Sequence, residues 1–99
     1  MAWIVETLSH VVDAELEELP PDMRARFRYI SGLIEEFGLE QVRQPHVKHL
    51  RGSLWEMRMK GRDGISRALY VTAAGSRVIV VRVFIEIELA FKRAQEIAQ

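Results

Sequence analysis

No cysteine occurs anywhere in the chain, which excludes a disulfide framework and a thiolate metal site together. No apolar run approaches the roughly 18 residues that would suggest a membrane span, although the apolar fraction of 48% is ordinary for a globular protein. The opening MAWIVETLSH has neither the basic start nor the apolar stretch of a secretory signal, so the expectation is a cytoplasmic protein without a membrane partner. Internal repeats and low-complexity segments are also missing, and 99 residues are too few for two independent cores. One domain spanning residues 1–99 is expected.

The formal net charge is zero, yet the charges are unevenly placed. Residues 1–40 carry nine acidic groups against three basic ones, whereas residues 41–85 carry nine Lys and Arg against only Glu56 and Asp63. Such a basic block can form a positive surface that attracts a polyanion even when the whole molecule is neutral, because the field follows local arrangement. The plainer reading, a solvated sheet edge salted with Lys and Arg, stands beside it.

Periodicity predicts the elements. Trp3 to Leu8 is short, β-branched and aromatic, as a strand would be. Ser9 is then placed to cap a helix in which Val12, Leu16 and Leu19 recur among glutamates until Pro20-Pro21 stops it. A second helix starts at that point, with Met23, Phe27, Ile30, Leu33, Ile34 and Phe37 three or four apart and Gly38 as the stop. After Gln44-Pro45-His46 the period changes, and Val47 to Leu50, Leu54 to Lys60, Ile65 to Thr72 and Arg77 to Ile85 read as strands joined by tight turns. In the second of these, Trp55, Met57 and Met59 alternate with Glu56, Arg58 and Lys60, giving one core face and one charged face. Helical spacing returns over Ile87 to Ala98. The expectation is an α+β fold of order βααββββα, with a helical hairpin packed on a curved, mainly antiparallel sheet.

These same residues carry a resemblance. Lys48-His-Leu-Arg-Gly-Ser-Leu-Trp-Glu-Met-Arg58, followed by Gly64-Ile-Ser-Arg67-Ala-Leu-Tyr70 and Val78-Ile-Val-Val-Arg-Val-Phe-Ile85, resembles the phage-derived, HigB-like branch of the RelE/ParE toxin superfamily. The most specific element is Leu-Trp-Glu-x-Arg combined with an Arg-x-Leu-Tyr strand nine residues later. The resemblance implies a RelE-like sheet with a concave basic face, a cognate helix-turn-helix antitoxin, and metal-independent cleavage of messenger RNA at the ribosome. It implies no cofactor, and it leaves the oligomeric state open.

Cleavage by internal transfer needs the 2′-hydroxyl deprotonated, the charge on a phosphorane-like transition state stabilised, and the 5′-oxygen protonated. Fixed cationic donors supply the second requirement, and the planar fork of Arg suits two phosphate oxygens. Arg58 and Arg67, matching the basic positions of the family on adjacent strands, are the first choices. Glu56 is either a general base or a carboxylate that holds one of the two arginines, and the orienting role is favoured. Lys48, Arg51 and Lys60, at strand ends, read as phosphate contacts. Arg82 interrupts a strand apolar enough to be buried on both faces, so it is expected to enter the cleft or to pair with Glu56. His46 and His49, without Cys or carboxylate nearby, read as surface histidines rather than metal ligands.

One departure from the family stands out. Its last strand runs into a Lys- and Thr-rich loop, whereas here Ile85 is followed at once by Glu86 and a helical pattern, which suggests a loop lost between those two residues. Two further readings stay open: a ParE-type protein that binds DNA gyrase without nuclease chemistry, and an inactive RNA-binding module.

Overall fold

The computed structural model describes residues 2–43, 46–86 and 97. Its elements are β1 (Ile4–Thr7), α1 (His10–Glu17), α2 (Pro21–Phe37), a single 3-10 turn (Leu39–Gln41), β2 (Val47–Arg51), β3 (Leu54–Gly61), β4 (Gly64–Ala73) and β5 (Arg77–Glu86). The expected α+β order is observed through β5, and the helix expected over Ile87 to Ala98 lies outside the described residues save Ile97. None of the described helices is long and apolar enough to cross a membrane.

The five strands form one sheet in the order β1-β5-β4-β3-β2. The pairs β2–β3, β3–β4 and β4–β5 are antiparallel, as short turns dictate, and only β1 joins in parallel, at the edge beside β5. Both helices lie on one face. Met23, Ile30 and Ile34 of α2 are fully buried there with Met57, Met59, Ala68, Tyr70, Val78 and Val80 of the sheet. Trp55, expected with the two methionines, is instead 37% exposed and meets the His49 ring at 4.8 Å, because both residues sit near the far edge of the sheet.

The helical hairpin turns where its sequence says it must. Ser9 occupies the N-cap of α1, but its backbone carbonyl, not its hydroxyl, receives the amides of Val12 and Asp13. Pro21 opens α2, where the missing amide costs nothing, and Pro20 accepts from Met23 and Arg24. The same helix start presses on the β3–β4 turn. Asp22 accepts the Arg62 amide at 2.7 Å, and a Cβ on Gly61 would lie 2.7 Å from the Asp22 carboxylate and 2.8 Å from Met23. Only glycine permits that approach.

A bulge decides which way β5 faces. Tyr70 pairs with Val80 but Leu69 with Arg82, so Val81 is an extra residue. Before it, Val78 and Val80 point into the core, and after it Val83 does so, with Ile85 packed beside it. Had Val81 been paired in plain alternation, Arg82 and Glu86 would share the buried face with Val78 and Val80. The bulge turns both outward. β5 then passes through Ile85 into Glu86 without interruption, Glu86 opposite Ile65, so in this chain the strand itself occupies the junction where the family's loop was expected.

Candidate functional site

The face of the sheet opposite the helices carries rows of side chains set by strand register. One row is Lys48, Glu56, Leu69 and Arg82, and the next is Arg58, Arg67 and Phe84, followed by Lys60, Ile65 and Glu86. Arg58 and Arg67 are directly opposed on neighbouring strands. Two guanidiniums so placed repel unless counter-charge lies between them.

Glu56 supplies it. Its side chain is only 4% exposed, and its Oε1 accepts from Arg67 Nη1 at 2.7 Å while Arg58 Nε lies 3.5 Å away. Arg67 is gripped a second time, its Nε donating to Glu86 at 2.8 Å. The hydrogen bond to Glu86 raises the guanidinium's pKa further, and that from Arg67 holds the Glu86 carboxyl below the usual carboxylate range. Arg58 is different. Its Nε is close enough for ionic attraction to Glu56 but is not aligned to donate, so it remains a buried N–H without an acceptor. One arginine is locked by two carboxylates, and the other holds an unspent donor.

These groups open onto a cleft of about 660 Å³. Among the described residues it is lined by Arg26, Arg58, Lys60, Arg62 and Arg67 with His46, Ile65 and two glycines, and by no carboxylate. Arg26 comes from α2 and Arg62 from the β3–β4 turn, so the cleft wraps from the polar face around the end of the hairpin. β3 contributes too where it runs past the start of β2, with the Arg58 amide donating to the His46 carbonyl at 2.8 Å. A concave site lined by five cations suits a polyanion.

The structure therefore brings Glu56, Arg58, Arg67 and Lys60 together, and leaves other expected residues apart. Lys48 shares the polar face, beside Glu56 on exposed β2, and Arg51 is exposed at the end of that strand; neither lines the cleft. Arg82 neither enters the cleft nor pairs with Glu56 as expected, because the bulge sets it on the solvent side, with its guanidinium over the Phe84 ring at 5.2 Å. His46, read as a surface residue, lines the cleft, whereas His49 faces Trp55 away from it. Arg26, Arg62 and Glu86 are additions. Glu86 falls to an unforeseen parity change, and nothing in the spacing of Arg24, Arg26 and Arg28 distinguishes the middle one. Tyr70, part of the recognised motif, is a core residue, fully buried, with its phenol pushed up to about 12 by that burial. Among the described residues, no group of three or more His, Asp or Glu side chains gathers closely enough to hold a metal ion.

Comparison with known proteins follows the same lines. The archaeal RelE–RelB complex from Pyrococcus horikoshii OT3 contains a chain of similar fold, with a TM-score of 0.60 and 22% identity over 86% of this chain and 96% of that one. Toxin RelE of E. coli, solved in the free state as a double arginine-to-alanine variant, gives 0.62 and 16% over 99% of this chain and 97% of that one. No curated protein matches. At such identities these structures establish a RelE-like fold. The family model described as phage derived protein Gp49-like matches residues 14–94, and with that span covered the chain belongs to the Gp49-like family.

Proposed function

We propose that this protein is the toxin of a toxin–antitoxin pair and cleaves messenger RNA at the ribosome by internal transfer. The observation that carries the reading is the opposed pair Arg58 and Arg67, anchored on buried Glu56 at the floor of a cleft whose described lining is cations and uncharged groups. A buried guanidinium N–H without an acceptor, as at Arg58, costs about 1–3 kcal/mol, and a phosphate oxygen removes that cost.

In the reaction, the 2′-oxygen bonds to the adjacent phosphorus as its proton departs, the bond from phosphorus to the 5′-oxygen breaks, and that oxygen takes a proton from solvent. The products are a 2′,3′-cyclic phosphate and a 5′-hydroxyl. Arg58 and Arg67 stabilise the charge that builds on the non-bridging oxygens. Glu56 has its oxygen engaged by Arg67 and faced by Arg58, so it positions them, and His46, whose ring lines the cleft, receives the 2′-proton at a ring nitrogen. The identity of the base is part of the proposal. Lys48 and Arg82, on the same face beside the cleft, and Arg51 and Lys60 at strand ends hold flanking phosphates.

A chain of similar fold is solved in complex with RelB, which supports an antitoxin partner here as well. An acidic segment laid across the cleft would neutralise the toxin by occupying the cationic site, and its binding would weaken with salt. The test is incubation of the purified protein with ribosomes and message, followed by mapping of the cut ends. Cleavage that requires ribosomes and falls about 100-fold or more in Arg58→Ala and Arg67→Ala supports the reading. Growth arrest and gyrase inhibition with intact message would replace it by a ParE-type activity.

A further inference from the structure

Outside the cleft floor, α2 presents an aromatic ring that the core does not use. The buried positions of α2 are Met23, Ile30 and Ile34, and Tyr29 stands beside that stripe with 53% of its surface exposed. Its surroundings are specific. The Arg26 guanidinium lies over the ring, 5.5 Å from the centroid, and the His46 ring stands T-shaped to it, with centroids 6.0 Å apart and planes at 71°. Arg26 and His46 both line the cationic cleft that contains Arg58 and Arg67, so the ring adjoins the cleft through two side chains that belong to it.

We infer that Tyr29, with Arg26, forms a nucleobase-stacking subsite for single-stranded RNA, receiving the base of a nucleotide next to the cleaved bond. The inference rests on the nuclease reading and adds to it a second contact of different chemistry. A cleft of cations holds phosphates but gains nothing from bases, whereas a neighbouring exposed aromatic offers every base a π-face. Arg26 is placed to serve both, its cation over the ring and its N–H groups toward the backbone phosphate. The His46 ring, T-shaped to Tyr29 and part of the cleft lining, joins the platform to the cleft that holds Arg58 and Arg67. Since stacking is tolerant of base identity, the subsite strengthens binding to single strands without fixing a codon, and a duplex, whose bases are already stacked, gains nothing from it.

The test uses the whole protein at fixed salt, with a fluorescent 2′-O-methyl oligoribonucleotide that cannot be cut and with inorganic polyphosphate, which has charge but no bases. Tyr29→Ala should weaken oligonucleotide binding about ten-fold and leave polyphosphate binding unchanged, with Tyr29→Phe and Tyr29→Trp close to the parent. Arg26→Ala should weaken both ligands. Tyr29→Ala that binds the oligonucleotide like the parent overturns the subsite, as does equal loss of both ligands or failure of Tyr29→Phe to rescue. If the alanine variant does not fold, the phenylalanine and tryptophan variants still decide it, a loss of oligonucleotide affinity in both counting against stacking. Cleavage that depends on Arg58 and Arg67 while Tyr29→Ala binds normally removes only this inference, whereas a parent that binds neither ligand removes it together with the nuclease reading.

Discussion

Arg67 sits between two carboxylates that differ in one respect, burial. Glu56 is closed off from water and Glu86 is 39% exposed, so one is a fixed anchor and the other is displaceable by an incoming anion. Removing Glu56 leaves two adjacent guanidiniums with their shared counter-charge gone, and Glu56→Ala should lower stability by about 2–4 kcal/mol, read from the urea midpoint. Glu86→Gln should do the opposite to ligand binding, tightening RNA by about two- to five-fold as the competitor for Arg67 is lost. The pH sign agrees. The folded-state pKa of Glu86 lies below its ordinary value, chiefly through the hydrogen bond from Arg67, so the pair is intact above the ordinary carboxylate range and is lost as pH falls through the lowered value. Acid should therefore free the Arg67 Nε in the parent, with Nη1 still held by Glu56, and change nothing at Nε in Glu86→Gln, which the Arg67 Nε–H proton resonance followed through an acid titration can check. At this scale the sequence was legible for Glu56, Arg58 and Arg67, because alternation on one strand and a matched motif on the next suffice. Arg26 and His46 were not legible, since periodicity tells which way a side chain faces but not which distant element it meets.

At the scale of elements, strand bounds were readable to about a residue because turn residues punctuate them, as Gly61-Arg62-Asp63-Gly64 does between β3 and β4. The bounds of β5 were readable too, but not its facing, because Val-Ile-Val-Val hides a bulge in a run of residues that fit either face. That hidden residue determines where Arg82 and Glu86 point. Deleting Val81 should remove the bulge yet keep Val80 and Val83 inward and Arg82 and Glu86 outward, so that this variant, like Val81→Ala, should still unfold cooperatively on heating, and loss of a cooperative transition would contradict this reading of the register. The start of α2 gives a second handle on the site. Gly61→Ala must push Asp22 and Met23 aside, and it should cost about 1–3 kcal/mol in denaturant unfolding while loosening the turn that carries Arg62 into the cleft.

For the molecule as a whole, a zero net charge conceals a sheet face and cleft that are strongly positive, with the acidic excess in the first 40 residues, where the helical hairpin lies. RNA affinity should accordingly fall steeply with salt, and Arg26→Ala should reduce the slope of log K against log salt by about 0.7, the value of one single-strand phosphate contact. The fold that supports this face was readable from pattern and resemblance together, whereas the chemistry at its cleft follows only from the register that opposes Arg58 to Arg67. The most direct test of the central claim maps 5′ ends of a translated message after incubation with the parent and with Arg58→Ala and Arg67→Ala. The account predicts new 5′-hydroxyl ends within the reading frame that require ribosomes and vanish in both variants. Identical ends in all three proteins, or none with the folded parent, would contradict it.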